Sequence, residues 1–356
     1  PATGKEVLAW GELVNLGPMV NSPLWEAQPS LSADGQTLYF ATLREGNTPD
    51  ANGDPSMDIY YSQRGIDGKW GKARSIGDVI NTAGHEKSPF MHGDSRTLYF
   101  SSEGRRGAGG YDIYFTRMLD DGSWTRPKNI GIPINTSEDE HGLIVSTDGS
   151  EAYYASNKIQ GAQGYDIFRF EVPELAKPEK VVLVRGEVKD EQGEVVRDAK
   201  IMLNFVESKR VERVEIDKDD GSYATIINVD TEPVVMTIEK EGHAFQAQLY
   251  TIESAEEVIV EKAVELKKAE VGKPYTIDDI RYSTNSAEIN EASKLVLDQF
   301  AIYLQEHSGL EIAIHGHTDN VGNDSDNQTL STERAFEVMN YLQYKGVTAS
   351  RITFKG

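Results

Sequence analysis

The chain repeats itself. Asp58-Ile59-Tyr60 returns as Asp112-Ile113-Tyr114 and as Asp166-Ile167-Phe168, 54 residues apart each time. Leu38-Tyr39-Phe40 returns as Leu98-Tyr99-Phe100 after 60 residues and, in weaker form, as Ala152-Tyr153-Tyr154 after 54. The six extra residues fall in a polar stretch of the first unit, Gly46 to Ser56, where insertion into a surface loop costs little. Other landmarks keep the same register: Trp10, Trp70 and Trp124; Asn21, Asn81 and Asn135; Glu26, Glu86 and Glu140; Asp34, Asp94 and Asp148. A repeat of this length means one supersecondary unit per copy, which buries its apolar surface only by stacking on its neighbours.

Each unit reads as short strands broken by Asp-Gly or similar turns, as in Ser32-Ala33-Asp34-Gly35 before Thr37 to Ala41, and the expectation is one four-stranded blade per unit. The pattern Ser-x-Asp-Gly-x-x-Leu-Tyr-Phe, followed by Asp-Ile-Tyr, resembles the WD40-like, or TolB-type, β-propeller family over residues 1–172. Closed propellers have four to eight blades, and three full units are visible, preceded by the tail of another around Trp10. The expectation is a chain that begins inside its propeller, with upstream sequence supplying further blades.

Because the same Asp, Glu and Trp recur in every unit, packing and turn capping explain them better than a ligand does. His85 and His141 stand on opposite sides of the repeated Glu86 and Glu140, two residues apart in repeat register, with no third metal ligand near in sequence, and read as surface or turn histidines. The loop Asp50 to Asp58 alternates oxygen ligands as a calcium loop would, but lacks the central Gly and the terminal Glu of that motif. No metal and no cofactor is expected.

Composition is globular, with 38% hydrophobic and 26% charged residues in 356, enough for two or three domains. A formal net charge of −22 opposes binding to nucleic acid and to anionic membrane surfaces. With no cysteine, disulfides, thiolate zinc sites and a Cys nucleophile are excluded. The longest aliphatic runs, such as Val181 to Val184, are far shorter than the ~20 residues of a spanning helix.

The Pro- and charge-rich stretch Pro173 to Lys180 marks a domain boundary. Beyond it, residues 181–267 alternate apolar and polar positions between the turns Gln192-Gly193, Asp220-Gly221 and Glu241-Gly242, predicting an all-β sandwich. Gly186-Glu-Val-x-Asp190-x-x-Gly193, Ala199-Lys-Ile and Asp220-Gly221-Ser222-Tyr223 resemble the carboxypeptidase regulatory-like domain. That resemblance implies a spacer or protein-contact module and no peptidase.

From residue 270 the periodicity becomes helical. The expected order is βαβαβ: a strand at Asp279 to Tyr282, a helix capped at Asn285 with Glu288 at N3, and a strand at Glu311 to His315. A polar loop, a second helix from about Ser331 and a strand at Arg351 to Phe354 complete it. Asp319 and Arg334 flank the polar loop, offering a carboxylate to an ammonium and a planar fork to a carboxylate. Ser331 is placed to cap the second helix and bring Arg334 into its first turn.

Gly316-His317-Thr318-Asp319-Asn320-x-Gly322, then Asn327-x-x-Leu330-Ser331-x-x-Arg334-Ala335, resembles the OmpA C-terminal domain. The resemblance implies that Asp319 and Arg334 hold the diaminopimelate of a peptidoglycan stem peptide, with Thr318, Asn320 and Asn327 lining the pocket. Domains of this kind continue past an ending such as Lys355-Gly356, so further sequence is expected there too.

The three-part order resembles the PorE-type lipoproteins of the Bacteroidetes type IX secretion system. It implies a periplasmic, outer-membrane-associated tether that binds peptidoglycan and outer-membrane secretion proteins, reaching the membrane through an upstream lipid anchor. A general envelope scaffold of TolB or Pal type is the alternative. A wall-active hydrolase is disfavoured by the absence of Gly-x-Ser-x-Gly and His-Glu-x-x-His patterns.

Overall fold

A computed structural model describes residues 12–50, 52–65, 67–159, 164–217, 220–229, 232–251, 259–261, 263–283, 286–318 and 323–356. Two compact units divide the chain, Pro1–Glu179 and Lys180–Gly356. Among the described residues no helix is long and apolar enough to cross a membrane.

The first unit stacks three small antiparallel sheets. The first holds β1 (Trp25–Leu31), β2 (Thr37–Leu43), β3 (Asp58–Gln63) and β4 (Arg74–Ser75). The second repeats it with β5 (Glu86–Met91), β6 (Thr97–Ser102), β7 (Asp112–Arg117) and β8 (Lys128–Asn129). Among the described residues the third has β9 (Glu140–Val145), β10 (Glu151–Ser156) and β11 (Asp166–Glu171), three strands where four are expected. After β11 the chain turns at Pro173 into a 3-10 turn, Glu174–Ala176, and buries Ala176 in the apolar layer between the second and third blades. The segment that would pair with β11 is thereby diverted.

The second sheet lies between two neighbours, so its middle strand β6 is buried on both faces along its whole length, whereas β10 of the third sheet alternates. Tyr39, Ile59, Ile76 and Ile80 of the first repeat pack on Met91, Leu98, Phe100 and Tyr114 of the second. Tyr99, Ile113, Phe115, Ile130 and Ile134 pack on Leu143, Val145, Ala152 and Tyr154 of the third.

The repeated polar residues serve this stacking. Glu86 accepts from Thr82 N–H, Thr82 Oγ1 and Ser102 Oγ, and Glu140 accepts from Thr136 N–H, Thr136 Oγ1 and Ser156 Oγ in the same way. Glu26 accepts from Ser22 and Thr42 and pairs with Arg44 at 3.1 Å. Asn81 takes the Ile59 N–H on Oδ1 and donates Nδ2 to the Ile59 carbonyl, and Asn135 does the same for Ile113. Asp34, Asp94 and Asp148 accept backbone N–H groups of the turn residues that follow them. These are the architectural roles expected of residues present in every copy.

The second unit contains a sandwich. One sheet has the order β15 (Ser222–Asn228), β12 (Val181–Asp190), β18 (Ile259–Glu261), with β19 (Val264–Leu266) also on β12. The other has the order β14 (Val211–Val214), β13 (Lys200–Phe205), β16 (Val234–Glu239), β17 (Gln246–Tyr250). Val182, Val184, Ile201, Leu203, Ile227, Val234, Met236, Ile238 and Tyr250 fill the space between them. The strand period of two turns Val235, Ala247 and Leu249 to the opposite face, where they join a second core with Val296, Leu297, Leu304, Val338 and Leu342. Those residues belong to α1 (Glu291–Glu306) and α2 (Asp324–Tyr344), which alternate with β20 (Ile312–His315) and β21 (Ile352–Lys355).

β20 and β21 pair in parallel, Ile312 with Ile352 through His315 with Lys355. The expected βαβαβ order is therefore corrected to αβαβ among the described residues. Of the strand expected at Asp279 to Tyr282, only a single bridge from Tyr282 to Ile289 forms; Asp279 has φ 63°, which breaks an extended run.

Candidate functional site

Strand β20 runs out at His315, and Gly316 follows with its N–H donated to the Lys355 carbonyl at 2.9 Å. A Cβ at Gly316 would lie 2.0 Å from the Ser331 carbonyl oxygen and 3.2 Å from Ala335 N, so the absence of a side chain lets the strand end press against the α2 backbone. That approach places the start of the polar loop beside the stretch of α2 that carries Ser331 and Arg334.

Helix α2 starts well before the expected Ser331. Asn323 is its N-cap and its side-chain oxygen takes the Ser325 and Asp326 N–H groups, while Asp324 and Asp326 put negative charge in the first turn. Ser331 is instead buried in the helix interior and donates its hydroxyl to the Gln328 carbonyl. Arg334 therefore lies well inside the helix, and the free N–H groups of a first turn play no part beside it. The local reason is the run Asn323-Asp324-Ser325-Asp326, a stronger start signal than Ser331. Helix α1 shows the same kind of shift: Asn290, and not the expected Asn285, caps it through Ser293 N–H at 2.7 Å. Asn285 itself lies outside the described residues.

Arg334 is half-buried and held on two sides. Its Nε–H donates to the Ser286 carbonyl at 3.1 Å, and its guanidinium carbon lies 4.8 Å from the centroid of the Tyr282 ring. The Tyr282 hydroxyl returns a long bond, 3.4 Å, to the Arg334 carbonyl. Burial pushes the Tyr282 phenol up, with the Arg334 charge acting in the opposite direction. With Nε occupied by Ser286, the two terminal nitrogens of the fork carry its remaining N–H donors. Asn327 stands seven residues before Arg334, about two helical turns and hence on the same face, and its N–H bonds the Asn323 carbonyl. Thr318, half-buried, follows β20 on the loop side. Asp319 and Asn320 lie outside the described residues.

Sequence reasoning misses Tyr282 and Ser286 as site residues. Tyr282 reads only as the end of a strand and Ser286 as part of a helix cap; nothing in their spacing points at a residue some fifty positions away.

The other candidate positions have local partners. His85 Nδ1 accepts the Met57 N–H at 2.8 Å and its Nε2 lies 3.7 Å from Glu103. The His141 ring packs on Tyr165 at 4.4 Å, and burial together with Lys87 pushes its imidazole pKa down. In the calcium-like loop, Asp50 accepts the Asn52 and Asp54 N–H groups, and Asp58 turns inward to Thr48 N–H and the Ser56 hydroxyl. No group of three His, Asp or Glu side chains among the described residues is placed to hold a metal ion.

Residues 281–356 match the model of the OmpA family. Over 87 residues the chain is 31% identical to outer membrane protein P5 of Haemophilus influenzae, covering 24% of this chain and 25% of that protein. It is 32% identical over 87 residues to outer membrane protein A of Shimwellia blattae, covering 24% of this chain and 36% of that one. The C-terminal segment is thus OmpA-like, while the chain spans only a quarter to about a third of the length of these relatives. Among solved structures, the peptidoglycan-associated lipoprotein of Burkholderia pseudomallei is 28% identical over 22% of this chain and 67% of its own, with a TM-score of 0.21. TolB of Acinetobacter baumannii is 11% identical over 67% and 54%, with a TM-score of 0.30.

Proposed function

We propose that this protein is a non-enzymatic envelope anchor whose residues 270–356 bind peptidoglycan through the diaminopimelate of the stem peptide. Arg334 takes the carboxylate, Asp319 the ammonium, and Thr318, Asn320 and Asn327 line the pocket. Residues 1–172, as propeller blades, and residues 181–267, as a spacer, carry protein contacts that tether outer-membrane secretion machinery of the type IX kind to the wall. The setting is the periplasm, at the outer membrane.

One observation carries the wall-binding reading. An OmpA-like segment sets its motif arginine, half-buried, with Nε spent on the Ser286 carbonyl and the ring of Tyr282 against the guanidinium. Such a fork is preorganised for a planar anion, since little rotamer entropy remains to be lost on binding.

The experiment is a pull-down of the chain by diaminopimelate-containing peptidoglycan, with Arg334→Ala and Asp319→Ala as variants and circular dichroism to confirm folding. Both variants are expected to lose binding, and wild-type binding is expected to weaken with salt. Retained binding by either variant would sink the site assignment. Co-purification from native envelopes separates the secretion tether from a general scaffold: secretion-system proteins are expected with the former only.

A further inference from the structure

The sandwich and the C-terminal segment share more than an apolar core. Strand β17 is an edge of its sheet among the described residues, and at that edge Asp279 takes the place of a neighbouring strand. Its Oδ2 accepts the Leu249 N–H at 3.1 Å and the Gln248 side-chain N–H at 2.9 Å, so a carboxylate satisfies a backbone donor that a further strand would otherwise take. The Asp279 backbone turns here, with φ 63°, a conformation that Asp and Asn tolerate better than most side chains do. The carboxylate is largely buried, with 16% of the side chain exposed.

The other side of the same short segment is pinned to α1. The hydroxyl of Ser293, a residue 0% exposed, donates to the Asp279 carbonyl at 2.9 Å and accepts the Arg281 N–H at 2.6 Å. The Ser293 N–H is in turn held by the α1 cap, Asn290. Residues 279–281 are thus fixed from two directions, and the next residue is Tyr282, whose ring carries the Arg334 guanidinium. Contact runs without a gap from Gln248 and Leu249 of the sandwich to Asp279, along the chain to Tyr282, and from there to Arg334.

We infer, resting on the wall-binding reading for the identity of the ligand, that Asp279 is a positioning residue for the Arg334 fork and that the sandwich takes part in peptidoglycan binding through it. Released from the β17 edge, residues 279–282 keep only Ser293 and the apolar contacts of Ile280 and Tyr282. The ring then samples more positions, and a fork that must be re-ordered on binding holds its anion less tightly. The sandwich is therefore more than a spacer: its edge strand sets where the arginine stands.

The test takes two readouts on the full chain: affinity for a soluble muropeptide containing diaminopimelate and, without ligand, the nuclear magnetic resonance signals of the Arg334 side chain, which the ring current of Tyr282 displaces. Asp279→Gly removes the carboxylate from a backbone that stays free to adopt φ 63°, and Gln248→Ala removes one donor from the sandwich alone. With folding confirmed by circular dichroism, Asp279→Gly is expected to weaken the muropeptide about 3- to 30-fold and to move the Arg334 signals. Gln248→Ala is expected to change both in the same direction by less. Asp279→Asn restores an oxygen that can accept both donors and is expected to return both readouts to near wild type. Added to Tyr282→Leu, Asp279→Gly is expected to weaken binding no further, since it acts through the ring. Unmoved Arg334 signals in both folded variants would overturn the inference, and so would wild-type affinity in both. A wild-type chain that does not bind the muropeptide would refute the wall-binding reading, and the Arg334 signals alone then decide whether Asp279 positions the fork.

Discussion

The guanidinium of Arg334 lies on the ring of Tyr282, 4.8 Å from its centroid, although Tyr282 precedes α1 and Arg334 belongs to α2. Tyr282 packs against the same core as Val296 and Leu342, so the packed interior of the domain helps to orient the arginine.

Tyr282 therefore holds the Arg334 guanidinium against its ring. Replacing Tyr282 by Leu is expected to weaken peptidoglycan binding about 5- to 30-fold, because the guanidinium loses the ring that preorganises it. Phe at the same position keeps the ring and is expected to stay near wild type. Sedimentation with insoluble peptidoglycan reads both, and equal binding by the Leu variant would remove Tyr282 from the site.

Asn135 is buried and satisfies both backbone groups of Ile113, at 2.8 and 3.0 Å. Asn135→Ala orphans the buried Ile113 N–H, while the Ile113 carbonyl keeps the Ile130 N–H at 3.1 Å, an expected loss on the order of 1–3 kcal/mol. Urea unfolding of the variant measures it. A change below about 0.5 kcal/mol would mean that the clamp is dispensable.

Glu86 makes stability depend on pH. Burial pushes its carboxyl up to about 7, more than the hydroxyls of Ser102 and Thr82 and the Thr82 N–H bring it down. The folded state then holds the proton more tightly than the unfolded chain, so stability falls as pH rises from 4.5 through about 7. The scale is on the order of 2–3 kcal/mol. Glu86→Gln keeps an acceptor and the hydrogen-bonding shape but cannot ionise, so its unfolding free energy is expected to vary less over this window. Identical pH profiles for variant and wild type would refute the assignment.

Phe245 joins the sandwich to α1: its ring centroid is 5.2 Å from those of both Phe300 and Tyr303. Truncation to Ala is expected to cost about 3–5 kcal/mol. Its effect should be local, with faster amide exchange in α1 and little change at Val184 and Met236 between the two sheets. Uniform acceleration across the unit would show one indivisible core.

Much of this was legible in the sequence because it repeats or alternates. A residue that returns at a fixed period has the same neighbours each time, so Glu86 and Glu140 were readable as architecture before their partners were known. The short run from Val234 to Ile238 read as a strand, but its burial on both faces was not legible. The C-terminal motif marked Arg334 as a residue to examine. Helix starts were less legible, since Asn285 against Asn290, or Ser331 against Asn323, are each plausible caps, and local chemistry alone does not choose between them.

Sequence alone determined the repeat unit, the strands of the sandwich and the chemical types around the polar loop, all of which depend on short-range periodicity and side-chain chemistry. Tertiary structure decided what no local pattern encodes. Among the described residues it gave the third sheet three strands, with Ala176 turned into the layer beside Tyr99, and it exposed Ile167 where Ile59 and Ile113 are covered. It also brought Tyr282 and the Ser286 carbonyl to Arg334 across some fifty residues. Such contacts arise when separate elements compete for the same buried surface, and that competition is settled only by packing in three dimensions.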